Sequence, residues 1–195
     1  MPQHSLFDTI APVYSLFFSY QEKAFGTILE RARQHLLAPE GSRVLDIGCG
    51  TGALASCLSK MGYRVTAVDA SAKMIEHARK NNRANNVDFL VADALNGLPY
   101  KDKSFDLVMS SYVAHGLKRE PRHTFFAEAG RLAGKQMILH DYNRRRKLFS
   151  DIVEWAEGGD YFYFIQHAEE ELKALFPKVE VISFAAQIAW YICTP

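Results

Sequence analysis

The sequence is poor in cysteine and has almost no surplus of either charge. Its 195 residues include only three cysteines, Cys49, Cys57 and Cys193, an odd number without zinc-like spacing. That excludes a disulfide framework, and reduced thiols in a cytoplasmic protein are expected instead. The 23 Lys+Arg against 22 Asp+Glu leave a formal charge of +1, so no global basic field is present to hold nucleic acid or an anionic membrane. No apolar run approaches the ~18 residues of a membrane span. Asp8 and Pro12 interrupt the first apolar residues and no basic stretch precedes them, so no secretory pattern is expected. The seven histidines are scattered without paired acid or cysteine spacing, and no metal site is expected. Internal repeats and low-complexity segments are absent as well.

What is present is an ordinary globular composition, 48% hydrophobic and 23% charged, at a length suited to one domain over residues 1–195. Residues 5–38 read as helices, with Phe7, Ile10, Tyr14, Phe17 and Phe18 at roughly helical spacing, stopped by Pro39 and Gly41. From Arg43 strands and helices alternate. Strands are expected at Val44–Ile47, Arg64–Val68, Val87–Ala92, Asp106–Tyr112 and Gln136–His140. Helices are expected at Ala53–Lys60, from a Ser71 cap through Lys80, and from about Pro121 to Ala133. This alternation predicts a parallel sheet in an α/β sandwich. Further helices are read at Lys147–Ala156 and Glu169–Phe176, with the aromatic cluster Tyr161–Phe164 between them unassigned. Val179–Phe184 and Ile188–Cys193 are joined too closely to pair other than antiparallel.

The stretch VLDIGCGTG, residues 44–52, carries the most chemical information. A strand enters a turn whose glycines let a ligand approach the backbone, and the following helix offers N–H groups and a positive dipole end. Gly48, Gly50 and Ala53 also satisfy the dinucleotide spacing G-x-G-x-x-G/A. Asp46 argues against a dinucleotide, because a carboxylate two residues before Gly48 repels a pyrophosphate and attracts an ammonium group. A turn-stabilising Asp is the plainer alternative. Asp69 ends the second strand, where a carboxylate accepts both hydroxyls of a ribose. Met74 stands ready to cover an adenine face or simply to pack under its helix. Asp93 ends the third strand, placed to accept from an exocyclic amine.

These residues resemble the class I S-adenosylmethionine-dependent methyltransferases. VLDIGCGTG is close to an ideal first motif, VTAVDASAKMIEHA (65–78) matches the second, and the acidic motif lies within 87–117. FDTIAPVY (7–14) is similar to the entrance helix of the small-molecule branch, which includes quinone-biosynthesis methyltransferases. The resemblance implies a Rossmann-like three-layer sandwich with a seven-stranded sheet ordered 3-2-1-4-5-7-6, strand 7 antiparallel. It implies S-adenosylmethionine as cofactor and S-adenosylhomocysteine (SAH) as product. By position, the turn at Gly48 and Gly50 passes the methionine part, Asp46 serves its amino end and Asp69 the ribose hydroxyls, with Cys49 and Ala70 as further cofactor contacts. Asp93 with Ala94 falls to the adenine, Met74 is counted among the cofactor contacts, Ser110 lines the methionine side, and Tyr14 closes over the pocket. The chain departs from the family at Leu132–Lys135, where a K-P-G-G-type turn is usual; the departure is read as falling in a loop remote from the cofactor.

Methyl transfer from a sulfonium needs an aligned nucleophile in a dry pocket, and a base only when the acceptor begins protonated. His115, after strand four, is the first candidate base, with His140, Asp141 and Tyr142 ending strand five beside it. His115 and Tyr142 carry the catalytic expectation; a loop histidine that contacts only backbone or cofactor is the alternative. Residues 1–40 are read as a helical entrance, 41–141 as the cofactor core, 142–177 as the substrate side and 178–195 as the hairpin. Trp155 and Tyr161–Phe164 form either a lid over an apolar acceptor or core. The basic run Arg144–Lys147 meets an anionic substrate group or water. The expected function is methyl transfer to a small molecule. A cofactor-binding protein without turnover and an NAD-type oxidoreductase are the alternatives.

Overall fold

The computed structural model describes residues 16–82, 86–145, 160–184 and 187–195. Strands β1 (Arg43–Ile47), β2 (Arg64–Asp69), β3 (Val87–Val91), β4 (Phe105–Ser111), β5 (Ala133–Tyr142), β6 (Lys178–Ser183) and β7 (Ile188–Thr194) make one seven-stranded sheet. Its order is β3-β2-β1-β4-β5-β7-β6. The neighbours from β3 to β5 run parallel, and β7 runs antiparallel to both β5 and β6. Helices α1 (Phe18–Ala32), α2 (Ala53–Lys60), α3 (Ala72–Asn81), α4 (Arg119–Leu132) and α5 (Tyr161–Leu175) flank it. No described helix is long and apolar enough to cross a membrane.

The period of two along each strand divides the core into two apolar layers. Leu45, Ile47, Val108, Met137, Leu139 and Tyr191 pack with α4 and α5. Val44, Leu107, Met109, Ile138 and Trp190 join Leu29 of α1, Leu54 and Leu58 of α2 and Ile75 of α3 in the other layer. The central strands are therefore apolar on both faces, as buried parallel strands must be. Asp46 breaks this run, flanked in register by Ala67 of β2 and Met109 of β4.

Local chemistry sets the element ends. Gly52 precedes α2 at φ +83°, where a Cβ would meet the Asn82 amide at 2.6 Å. Ser71 caps α3 by accepting from the Met74 amide at 3.1 Å. Two expectations need correction. The last long helix begins at Tyr161 and not at Glu169, because Tyr161, Phe164, Ile165, Ala168 and Leu172 form one buried stripe. β5 begins at Ala133, directly after α4, so Leu132–Lys135 is a helix end and a strand start, not a loop. The shortened connection is taken up by an irregularity in the β4–β5 register between Phe105 and Leu107. The helix read at Lys147–Ala156, the FDTIAPVY stretch and Tyr14 lie outside the described residues, as do Arg146, Lys147 and Trp155.

Candidate functional site

The three acids gather at the carboxyl edge of three adjacent strands, Asp46 next to the last residue of β1, Asp69 ending β2 and Asp93 two residues past β3, where open α/β sheets bind their ligands. Asp46 is fully buried, and neither carboxylate oxygen has a hydrogen-bond partner among the described residues. Burial, with the charge of Asp69 second, pushes its carboxyl up to about 8, and the nearby Ala55 amide offsets only part of this. A buried acid left so poorly satisfied is a standing cost, which a neighbouring cation would relieve.

The turn beside it is shaped by backbone. Gly48 has φ +73°, and a Cβ there would come within 2.3 Å of Val113 Cγ2. The Gly48 and Cys49 amides both donate to the Val68 carbonyl, at 2.8 and 3.0 Å. Gly50 has φ +52° and open space where its Cβ would project, so the ligand side of the turn is clear. The Cys49 thiol is buried, and burial followed by Asp46 and Asp69 holds it well above its usual range, as a thiol.

Asp69 is held from both sides. One oxygen accepts from the Gly50 amide and the other from the Ser71 amide, each at 2.9 Å. Carboxylate and glycine turn are thereby fixed to one another, and Ala70 lies between the two anchors. Asp93 accepts from the Leu95 amide at 2.9 Å and from the Asn96 side chain at 3.0 Å. Ala94 beside it and Met74 on α3 are buried. Ser110 is also buried, and its hydroxyl donates to the Ile47 carbonyl at 2.8 Å, tying β4 to the strand that carries Asp46.

A second group gathers beyond β4 and β5. Asp141 is fully buried and accepts from His115 Nδ1 at 2.7 Å, from the Ala114 amide at 3.1 Å and from the Tyr142 amide at 2.8 Å. An ionised Asp141 only accepts, so it selects the His115 tautomer with a proton on Nδ1. The His115 ring lies 4.8 Å from Tyr142, edge to face, and 6.4 Å from both Tyr161 and Phe164. His115 and Tyr142 are thus brought together.

The aromatic run proves largely structural. Tyr161 and Phe164 belong to the core, which overturns the lid reading for these two rings. Tyr163 is half-buried and stacks on His167 at 4.0 Å. Arg122, which sequence reasoning missed, is fully buried and grips Glu171 through two nitrogens at 2.7 and 3.0 Å. Its third nitrogen donates to the Leu117 carbonyl, and Asp160 lies at 3.3 Å. A helix-surface arginine gives no local signal that α5 will cover it. Of the basic run, Arg144 donates to the Gln166 carbonyl at 3.2 Å and is exposed. Among the described residues no group of three His, Cys, Asp or Glu side chains is placed to share a metal.

Residues 44–135 match the family model of a methyltransferase domain. The chain is 45% identical over 78 residues to the ribosomal protein L11 methyltransferase of Thermotoga maritima, covering 38% of this chain and 28% of that protein. It is 31% identical over 126 residues to the ubiquinone biosynthesis O-methyltransferase of Maricaulis maris, covering 61% and 49%. It therefore spans less than half the length of these curated relatives. The solved DhpI–SAH complex aligns over 99% of this chain and 95% of its own, at 25% identity and a TM-score of 0.76. On these matches, its motifs and its sheet order, the chain is similar over residues 44–135 to the methyltransferase domain of the class I S-adenosylmethionine-dependent family.

Proposed function

We propose that this chain is an enzyme that transfers the methyl group of S-adenosylmethionine to a small-molecule acceptor in the cytoplasm. The buried Asp46, beside a glycine turn left open at Gly50, carries the reading. It fits the cofactor because an ammonium group placed there supplies the donors and the countercharge that the buried carboxyl lacks. A pyrophosphate brings that buried carboxyl no countercharge and opposes its ionisation, and the antiparallel β7 departs from a plain dinucleotide fold, so an NAD-type oxidoreductase is disfavoured.

The cofactor supplies an electrophilic methyl on a sulfonium, whose S–CH₃ pair returns to sulfur as the new bond forms. This chain's residues bind and orient. Asp46 holds the amino end along the turn Gly48, Cys49 and Gly50; Asp69 and Ala70 hold the ribose. Met74, Asp93 and Ala94 surround the adenine, and Ser110 supports the methionine side. Tyr14 is assigned the closing role on its motif alone. His115, oriented by Asp141 and bordered by Tyr142, takes the acceptor's proton where it has one. Residues 142–177 are assigned to choosing the acceptor.

A small acceptor is supported by the near-neutral charge and by the ubiquinone-biosynthesis relative. The Thermotoga relative is named for a protein substrate, so the acceptor is tested directly. SAH formation from S-adenosylmethionine is measured with low-molecular-weight and with protein fractions of a cell extract. Turnover with the first alone is expected; turnover with the protein fraction alone overturns the small-molecule reading, and none with either favours a binding protein. The three cysteines, all buried and unbridged, suit a reducing compartment.

A further inference from the structure

His140 lies on β5 directly across from Trp190 of β7, and it is 1% exposed. Its Nδ1 receives the Trp190 indole N–H at 2.9 Å. An indole nitrogen only donates, so Nδ1 bears no proton and the neutral ring carries its proton on Nε2. That Nε2–H has no partner among the described residues. Leaving a buried donor unmet is costly, a cost a fold does not keep without a reason.

The surroundings name the kind of partner. Phe25 of α1 stands 5.4 Å from the imidazole at a steep angle, and Tyr112 stands 5.0 Å away almost perpendicular to it. Tyr112 also borders Tyr142 at 5.4 Å and His115 at 6.4 Å, so these rings ring one place above β4 and β5. Tyr112 has φ +55°, a left-handed backbone conformation unfavourable for a bulky residue. Its amide donates to the His140 carbonyl at 3.0 Å, which fixes the turn that brings its ring over the imidazole. Tyr112 remains 38% exposed, so this place opens to solvent on one side. The carboxylate nearest in sequence, Asp141, faces the other layer and is occupied by His115.

We propose that His140 is a substrate-contacting residue whose Nε2–H donates to a phenolic or carbonyl oxygen of a flat conjugated acceptor packed against Phe25 and Tyr112. Flat π-faces suit ring edges set at these angles, and a single fixed donor in an apolar wall selects for one oxygen. Burial lowers the His140 imidazole to about 4, so the ring stays a neutral donor throughout the neutral range. His140 and His115 then have opposite parts: the first presents a hydrogen, and the second is oriented to receive one. The proposal rests on the methyltransferase reading for the identity of the ligand as acceptor, but not for the existence of the donor.

The test uses two probes of nearly equal shape, 2-naphthol and 2-methylnaphthalene, titrated against the full chain with and without SAH. Wild-type protein should prefer naphthol by roughly two- to tenfold, the range of one neutral hydrogen bond. His140→Gln keeps an acceptor for Trp190 and a donor for the probe, so it should retain most of the preference. His140→Phe should abolish it without changing SAH affinity. Because His140→Phe also strands the Trp190 indole, it is made in Trp190→Phe as well, with Trp190→Phe alone as the control for fold. A preference that persists without His140, equal affinity of the two probes in the wild type, or binding of neither overturns the proposal. Failure of SAH to bind the wild type overturns the methyltransferase reading instead, and the probe titration without SAH still decides the role of His140.

Discussion

On the proposed reading, Asp46 ties cofactor binding to proton release. Its carboxyl is raised to about 8, so it is largely protonated in the ligand-free protein at neutral pH. An ammonium beside it favours the carboxylate, and binding of SAH should expel up to about one proton. Calorimetry at neutral pH, in buffers of different ionisation enthalpy, measures this as a slope; Asp46→Asn should remove the slope and weaken binding. The same group shapes stability. Its folded value lies above the unfolded 3.8, so the native state binds the extra proton between 3.8 and about 8. Its contribution is full below 3.8 and is lost as pH rises through 8. Asp46→Asn should therefore gain stability relative to the wild type across that interval in denaturant melts. His140 acts oppositely: lowered from 6.5 to about 4, it contributes above 6.5 and its contribution fades as pH falls through 4. Asp69→Ala should weaken SAH binding about tenfold to a hundredfold, since it removes charge-assisted bonds of ~1.5–3 kcal/mol. An unchanged dissociation constant in the folded variant would overturn its ribose assignment. These three acids were legible in the sequence because each stands at or just past the carboxyl end of a short apolar strand, Asp46 one residue inside that end. The tautomer of His140 was not legible, because it depends on a tryptophan fifty residues away that only the sheet order brings alongside.

Among the elements, α2 agreed with its expected bounds because a left-handed glycine stands on each side, Gly52 and Gly62. α5 did not. Four successive aromatics are indifferent helix formers, and the burial stripe from Tyr161 to Leu172 becomes visible only against the sheet. What fastens α5 is Arg122, reaching from the first turn of α4 to Glu171. Arg122→Met should cost about 3–5 kcal/mol, because it leaves the partner carboxylate poorly solvated. Arg122→Met combined with Glu171→Leu should recover much of the loss in the same urea melts. A single variant as stable as the wild type would show that the pair does not hold α5. Since α5 brings Tyr161 and Phe164 against His115, the single variant should also loosen the candidate base.

At the scale of the whole molecule the sheet order puts the three acids on adjacent strands and the two histidines on the far side of β4. SAH should raise the melting temperature with dose, because it binds only the folded state, and NAD at equal concentration should do little. The reverse ranking would contradict the proposed function. Little of the proposed acceptor side was legible, since the residues assigned to it come from α1, the turn after β4, and β5, β7 and α5, without a shared motif. The position of β7 also has a kinetic meaning. It follows β6 in the chain yet inserts between β5 and β6, so β5 waits on a partner some fifty residues downstream. Closing so long a loop delays pairing, and β5 presents an unfinished edge in the interim. Until β7 arrives, nothing holds the His140 proton on one nitrogen. A refolding chain thus has its glycine turn before it has a polarised acceptor wall, and affinity for the cofactor should return earlier in refolding than discrimination among acceptors.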